Sequence, residues 1–263
     1  MTHRNTLAIG LAFLAGCGVS LPEPAAAPGA AAFAGFDTWR YPGDEVMESW
    51  DRASPYEWMG FYLPAPCHRD TSFSGKRELL DGSGWGLAVL YVGQQTFDGE
   101  APAEITESTV CSSLLLTPER GAIDGRDAVA RTAAEGFPEG TVVFLDIERM
   151  ERITPEMIDY YQAWIQEVID DGRYRPGTYA HLSNAAGLYN VAQQLLEREQ
   201  ISESVPFWVA GGTGFSLQAA PAALGYPFVR VWQGVLDVSR TWGEHTLQID
   251  ENVAATRSPS APD

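Results

Sequence analysis

Between Gly35 and Asp250 the chain alternates short apolar runs with segments of helical periodicity. A chain patterned this way buries a largely parallel sheet against helices, which restricts it to the α/β class. Eight runs read as strands: Gly35–Trp39, Trp58–Leu63, Gly86–Val92, Thr141–Ile147, Gly177–His181, Pro206–Ala210, Phe228–Trp232 and Leu247–Asp250. Several are apolar almost without interruption, as parallel strands covered on both faces are. Helical patterns lie between them. Thr154-Pro155-Glu156 supplies an N-cap, a proline at the first helical position and an early acid. Ile158, Tyr161, Ile165, Val168 and Ile169 then form one stripe, and Gly172 ends it. A second helix begins near Ser183 and a third covers Gly125 to Phe137, while later helices look short or missing. The expected fold is a single-domain, irregular (β/α)8 TIM-type barrel over residues 35–253, with an open doubly wound sheet as the alternative.

The N-terminus reads as an export signal. Met1 to Thr6 carries Arg4 and no acid, Leu7 to Leu14 is apolar, and Leu14-Ala15-Gly16-Cys17 follows at once. The apolar stretch is too short to span a bilayer. Its ending resembles the lipobox of bacterial lipoproteins, which implies removal of residues 1–16, lipidation of Cys17 and an exported, membrane-anchored chain on the periplasmic or cell-surface side. Residues 17–34 are then an Ala/Pro-rich tether. An ordinary signal cut later, near the alanines before Phe36, is the other reading. Residues 254–263 are polar and proline-broken, and are expected to be a disordered tail.

With Cys17 set aside, Cys67 and Cys111 remain, and in an oxidising compartment they are expected to form a disulfide, two free thiols being the alternative. Both follow neighbouring strands, so the bridge would tie down the long segment from Gly93 to Pro118. Closing a loop of about 44 residues contributes roughly 4 kcal/mol in the chain-entropy model.

Thirty-five acidic residues against 17 basic ones leave a formal charge of −18. A surface that acidic repels phosphate backbones and anionic headgroups, which argues against nucleic acid as a partner and leaves the lipid anchor as the contact with a membrane. The mature chain's three histidines have no paired spacing, so no metal or cofactor is implied. His68-Arg69-Asp70 lacks the rest of a kinase catalytic loop, and Gly211-Gly212-Thr213-Gly214 lacks dinucleotide-binding spacing.

The most informative segment is Gly140 to Glu148, GTVVFLDIE. Side chains alternate along a strand, so Asp146 and Glu148 share a face about 7 Å apart. Two carboxyls that close, at the rim where barrel active sites sit, repel one another, and one of them tends to stay protonated, as a general acid requires. The plainer reading is that one caps a turn or pairs with Arg149 or Arg152. Asp37 and Asp250 close the first and last candidate strands, which are neighbours in a closed barrel. Tyr179, Trp208, Trp232 and Gln233 lie in or end intervening strands. Acids ringed by aromatic faces and amides suit a sugar, although each aromatic also has core filling as an alternative role.

The order GFDTW (35–39), LDIE (145–148), PGTYAHLSNA (176–185), FWVAGG (207–212), VWQG (231–234) and QIDENV (248–253) resembles glycoside hydrolase family 25, the lysozyme-type muramidases. It is closer still to the secreted bacterial glycoside-hydrolase-like branch of that superfamily, where GRDAVARTAAEGFPEGTVVFLDIE (125–148) also has its counterpart. The resemblance implies hydrolysis of the β-1,4 bond between N-acetylmuramic acid and N-acetylglucosamine in peptidoglycan or a related amino-sugar glycan. Glu148 matches the general acid, Asp146 its partner carboxylate, and Asp37 and Asp250 the remaining acids. Asp146 would stabilise the oxocarbenium-like centre or orient the substrate's acetamido group. Two departures stand out: Gly211-Gly212 replaces an aromatic usual in the muramidases, and the Gly93–Pro118 stretch is long. A non-catalytic cell-wall glycan-binding lipoprotein on the same barrel is the rival from another class. The lipobox makes a separate expectation: a Cys17→Ala variant leaves the membrane fraction on cell fractionation, and its retention there would count against lipidation.

Overall fold

The computed structural model describes residues 32–96, 104, 106, 108–148 and 150–262. Cys17, the signal and nearly all of the tether lie outside the described residues. Eight strands close into one barrel in sequence order: β1 (Phe33–Asp37), β2 (Trp58–Tyr62), β3 (Gly86–Val92), β4 (Val142–Ile147), β5 (Arg175–His181), β6 (Phe207–Ala210), β7 (Val229–Trp242) and β8 (His245–Ala254). The chain is thus a single-domain α/β barrel of the TIM type. Helices α1 (Asp44–Ala53), α2 (Arg77–Gly82), α3 (Pro118–Ala134), α4 (Pro155–Asp171) and α5 (Leu182–Arg198) follow the first five strands. After β6 there is only a 3₁₀ turn at Pro221–Leu224, and β7 and β8 form a hairpin. Among the described residues no helix is long and apolar enough to cross a membrane.

The local signals act as their chemistry requires. Thr154 accepts a hydrogen bond from the Met157 N–H and Gly172 closes α4. The buried stripe of that helix is Met157, Tyr160, Tyr161, Trp164, Ile165 and Val168, so Ile158 and Ile169 flank it. Inside the barrel, Trp208 meets Trp58, Phe144 and Tyr179 edge-on, with ring centroids 5.4, 5.9 and 5.6 Å away. Gly35 makes room for this packing, because a Cβ there would sit 2.1 Å from the Trp58 ring. The disulfide joins Cys67 to Cys111 across the loops that leave β2 and β3, with Cα atoms 5.0 Å apart.

Two expectations require correction. First, β8 runs antiparallel to both β7 and β1, so Asp250 lies within the strand and does not close it. A tight hairpin can join β7 to β8 only in that sense. Second, the tail is ordered through residue 262. The β3–β4 ladder begins only at Val89↔Val143, which leaves the first residues of β3 without a β4 partner. The tail fills that gap. Ser260 accepts the Val142 N–H on its carbonyl and the Val89 N–H on its hydroxyl, and donates its own N–H to Leu87 O. Polar, proline-rich sequence remains ordered here because it satisfies backbone groups that would otherwise be buried unpaired. Gly86 lets the tail approach, since a Cβ there would lie 1.7 Å from Arg257 O. Replacing Ser260 by alanine removes one of these bonds, buried at 2% exposure. Urea denaturation is expected to show a loss of about 1–2 kcal/mol; an unchanged midpoint would mean that the bond from the Val89 N–H to the Ser260 hydroxyl contributes nothing.

Candidate active site

Asp37, at the end of β1, stands directly opposite Asp250 on β8. Both face the C-terminal end of the barrel and, with Asp146 and Glu148, line one cavity of about 290 Å³. Every sequence-predicted acid is therefore in one place. Tyr179 lines the cavity too, as do Trp39, Tyr62 and Asp237.

Hydrogen bonds divide the acids into two kinds. Asp37 is saturated: Tyr62 OH donates to Oδ1 at 2.8 Å, while Gln233 Nε2 and Asn252 Nδ2 donate to Oδ2, each at 2.8 Å. Gln233 also donates to Asp250 Oδ2 at 3.1 Å and accepts from Tyr179 OH at 2.6 Å. One carboxamide thus ties the two facing carboxyls to the tyrosine. Asp250 Oδ1 accepts the Asp237 N–H at 2.7 Å. Irregularities in the β7–β8 ladder between Gln233 and Val238, with Asp237 at φ +50°, bend the hairpin over the cavity. Asp146 differs. It is 3% exposed, and its Oδ1 has no hydrogen-bond partner among the described residues. Glu148, one residue beyond β4, is exposed at the mouth.

Burial dominates the electrostatics. It raises the pKa of Asp146 well above the usual carboxylate range, and the charges of Glu148 and Asp37 push the same way. Asp37 is raised by burial despite its three donors, and Asp250 is raised by burial and by the charge of Asp37 to about 7. Burial thus favours the neutral forms of Asp37, Asp146 and Asp250, while Glu148 faces solvent. Tyr62 and Tyr179, buried beside these acids, stay protonated donors.

Two aromatics do not take the place expected of them. Trp208 is completely buried in the barrel, where its Nε1 donates to Asn252 Oδ1 at 2.9 Å. Trp232 is 1% exposed, donates to Gly211 O and packs edge-on against Phe215. Neither offers a face to a ligand; both are corrected from substrate contacts to core residues, and Gln233 acts through the acids. Among the described residues the exposed aromatic is Trp39, at 50%. It rests edge-on at 4.3 Å on His68, whose ring nitrogens are buried without partners among the described residues. Burial lowers the His68 pKa to about 4, so it packs as a neutral ring. Trp39 has a sequence signal, being two residues beyond Asp37 and hence on the same side. Tyr62 ends β2 as Asp37 ends β1. Asn252 and Asp237 have no comparable signal. Among the described residues no group of three or more His, Cys, Asp or Glu could hold a metal ion.

The model of the Rv2525c-like, glycoside hydrolase-like domain matches residues 48–254. The chain belongs to that family. No curated protein matches it by sequence. Among solved structures, an uncharacterized B. stearothermophilus protein is similar, with a TM-score of 0.56 and 19% identity over 84% of this chain and 95% of that one. The modular autolysin LytC from Streptococcus pneumoniae gives 0.51 and 14%, over 84% of this chain and 46% of its own. GHIP, a glycosyl hydrolase 25 of Streptococcus pneumoniae, gives 0.50 and 10%, over 84% and 86%. At these identities the likeness to solved structures speaks for the barrel of this glycoside hydrolase-like family and not for its chemistry.

The pH dependence of stability follows from the buried acids. Asp37, Asp146 and Asp250 have raised pKa values in the folded state, so that state retains protons the unfolded chain has released. Their contribution to stability is complete below about pH 4 and is lost as the pH rises, through about 7 for Asp250. Asp146→Asn removes the group with the least compensation. It is expected to raise the melting temperature at pH 8 by roughly 3–8 °C and by less at pH 4.5; a lower value at pH 8 would contradict the assignment.

Proposed function

We propose that the chain is an exported, lipid-anchored cell-wall glycoside hydrolase that cleaves the β-1,4 bond between N-acetylmuramic acid and N-acetylglucosamine, with Glu148 as general acid. One observation carries this reading: successive same-face carboxyls of β4 differ in environment, Asp146 buried and Glu148 open at the mouth of the same cavity. Family membership supports glycoside hydrolase-like chemistry. A barrel of similar shape occurs in LytC, which has been seen in complex with a synthetic peptidoglycan ligand.

Each side chain then has a distinct task. Glu148, exposed in the free site, takes up a proton when the bound glycan covers the cavity mouth and withdraws its carboxyl from water, and gives that proton to the glycosidic oxygen as the bond from that oxygen to C1 breaks. Asp146, whose neutral form burial favours, is better suited to orienting the substrate's acetamido group by hydrogen bonding than to supplying standing negative charge beside a cationic centre. The acetamido oxygen closes on C1, and water later reopens that ring with Glu148 as base. Asp37, its oxygens occupied, organises the site through Tyr62, Gln233 and Asn252. The exposed indole of Trp39 offers a flat face for a sugar ring.

Incubation of the chain with purified peptidoglycan is expected to release reducing ends. Glu148→Gln is expected to lower that rate at least about 100-fold with the fold intact. Saturable binding without release, insensitive to Glu148→Gln, would replace this reading with that of a glycan-binding module.

A further inference from the structure

The last rung of the β3–β4 ladder pairs Val92 with Asp146, and the Gly93 N–H still reaches Asp146 O at 3.3 Å. Glu148 lies beyond this ladder and one residue past the end of β4. There the chain after β3 turns toward the disulfide loop: Gln94 Oε1 accepts the Ser112 N–H at 2.9 Å, and Gln94 Nε2 donates to Val110 O at 2.9 Å. No backbone of β3 is left to hold the Glu148 peptide.

The side chain of Gln95 occupies that position. It is 5% exposed; its Nε2 donates to Gly93 O at 3.1 Å and Asp146 O at 3.0 Å, and its Oε1 accepts the Glu148 N–H at 2.8 Å. A carboxamide carries the same donor and acceptor as a peptide group, so it extends the ladder by one rung after the backbone has departed. The two adjacent glutamines divide the work, Gln94 fixing the disulfide loop and Gln95 fixing β4.

We infer that Gln95 is a positioning residue that keeps the chain extended through Glu148 and so holds that carboxyl on the same face as Asp146. The inference rests on the reading of Glu148 as the acid and adds to it the group that places the acid. The β5 ladder holds β4 only as far as Ile147↔Ala180, so without the rung the Glu148 N–H loses its partner on the β3 side, and a displacement of about 1 Å at a reacting group can cost about 100-fold in rate.

The test uses the full chain and two substitutions. Gln95→Leu removes all three hydrogen bonds at similar volume. Gln95→Glu keeps an acceptor for the Glu148 N–H but turns a carboxylate toward two carbonyl oxygens at neutral pH. Amide hydrogen exchange at Glu148 is expected to be at least about 10-fold faster in Gln95→Leu than in the wild type. On peptidoglycan, kcat is expected to fall about 10–100-fold, with KM changed less than about 2-fold. Gln95→Glu is expected to recover rate toward acid pH, where its carboxyl is protonated and donates again, so its pH optimum lies below that of the wild type. Loss of packing alone would depress the rate equally at every pH. Unchanged exchange at Glu148 in Gln95→Leu, or a Gln95→Glu profile parallel to that of the wild type, would overturn the inference. An inactive wild type would defeat the acid assignment and not this one, which the Glu148 exchange rate still decides. If Gln95→Leu fails to fold, protection of the Glu148 amide in Gln95→Glu, taken relative to its intrinsic exchange rate at each pH, decides it: protection is expected to rise as the pH falls, and constant protection would overturn the inference.

Discussion

Asp37 and Asp250 face each other across the pair of strands that closes the barrel, and most of the site is arranged around that opposition. Two carboxylates directly across a ladder repel, and burial makes the repulsion worse. The chain answers with a carboxamide. Gln233 donates to both acids and receives Tyr179, while Asn252 and Tyr62 complete the shell around Asp37. Closure is therefore an electrostatic problem as much as a topological one. The antiparallel sense of β8 contributes directly, because it brings residues 250 and 252 past the rim on the same face. Asp250 then reaches the cavity and Asn252 reaches the indole beneath it.

That indole connects the site to its support. Trp208 fills the barrel below the acids and hands its N–H to Asn252, so the polar shell stands on a rigid aromatic stack. At the mouth, Trp39 is propped by neutral His68, which follows Cys67 of the disulfide. Core, bridge and rim thus meet within a few residues of the cavity, and groups held this firmly need little reorganisation when a ligand arrives.

Much of this was legible from the residues. Apolar runs marked all eight strands, with most boundaries within two residues, because parallel strands covered on both faces leave an unbroken hydrophobic signature. Thr154, Pro155 and Gly172 marked the ends of α4 through their backbone preferences. The pairing of Asp146 with Glu148 on one face follows from the period of a strand alone. Other features are non-local and leave no period to read. The direction of β8 depends on a hairpin with its neighbour. The order of the tail depends on unpaired groups of β3 some 171 positions earlier in the chain. Trp208 and Trp232 show that an aromatic in a strand does not reveal whether its ring lies above the rim or beneath it. Asn252, Gln233 and Gln95 act through amides whose partners are distant, and an amide in isolation looks the same in a loop as in a site.

The two ends of the described chain share a location. β1 starts at Phe33 on the N-terminal side of the barrel, and the tail finishes against the first residues of β3 and β4 on that same side. The cavity opens at the opposite end. An attachment through either terminus would therefore join the barrel at the end opposite its mouth, and the length of the attachment would set how far from a surface the site can work.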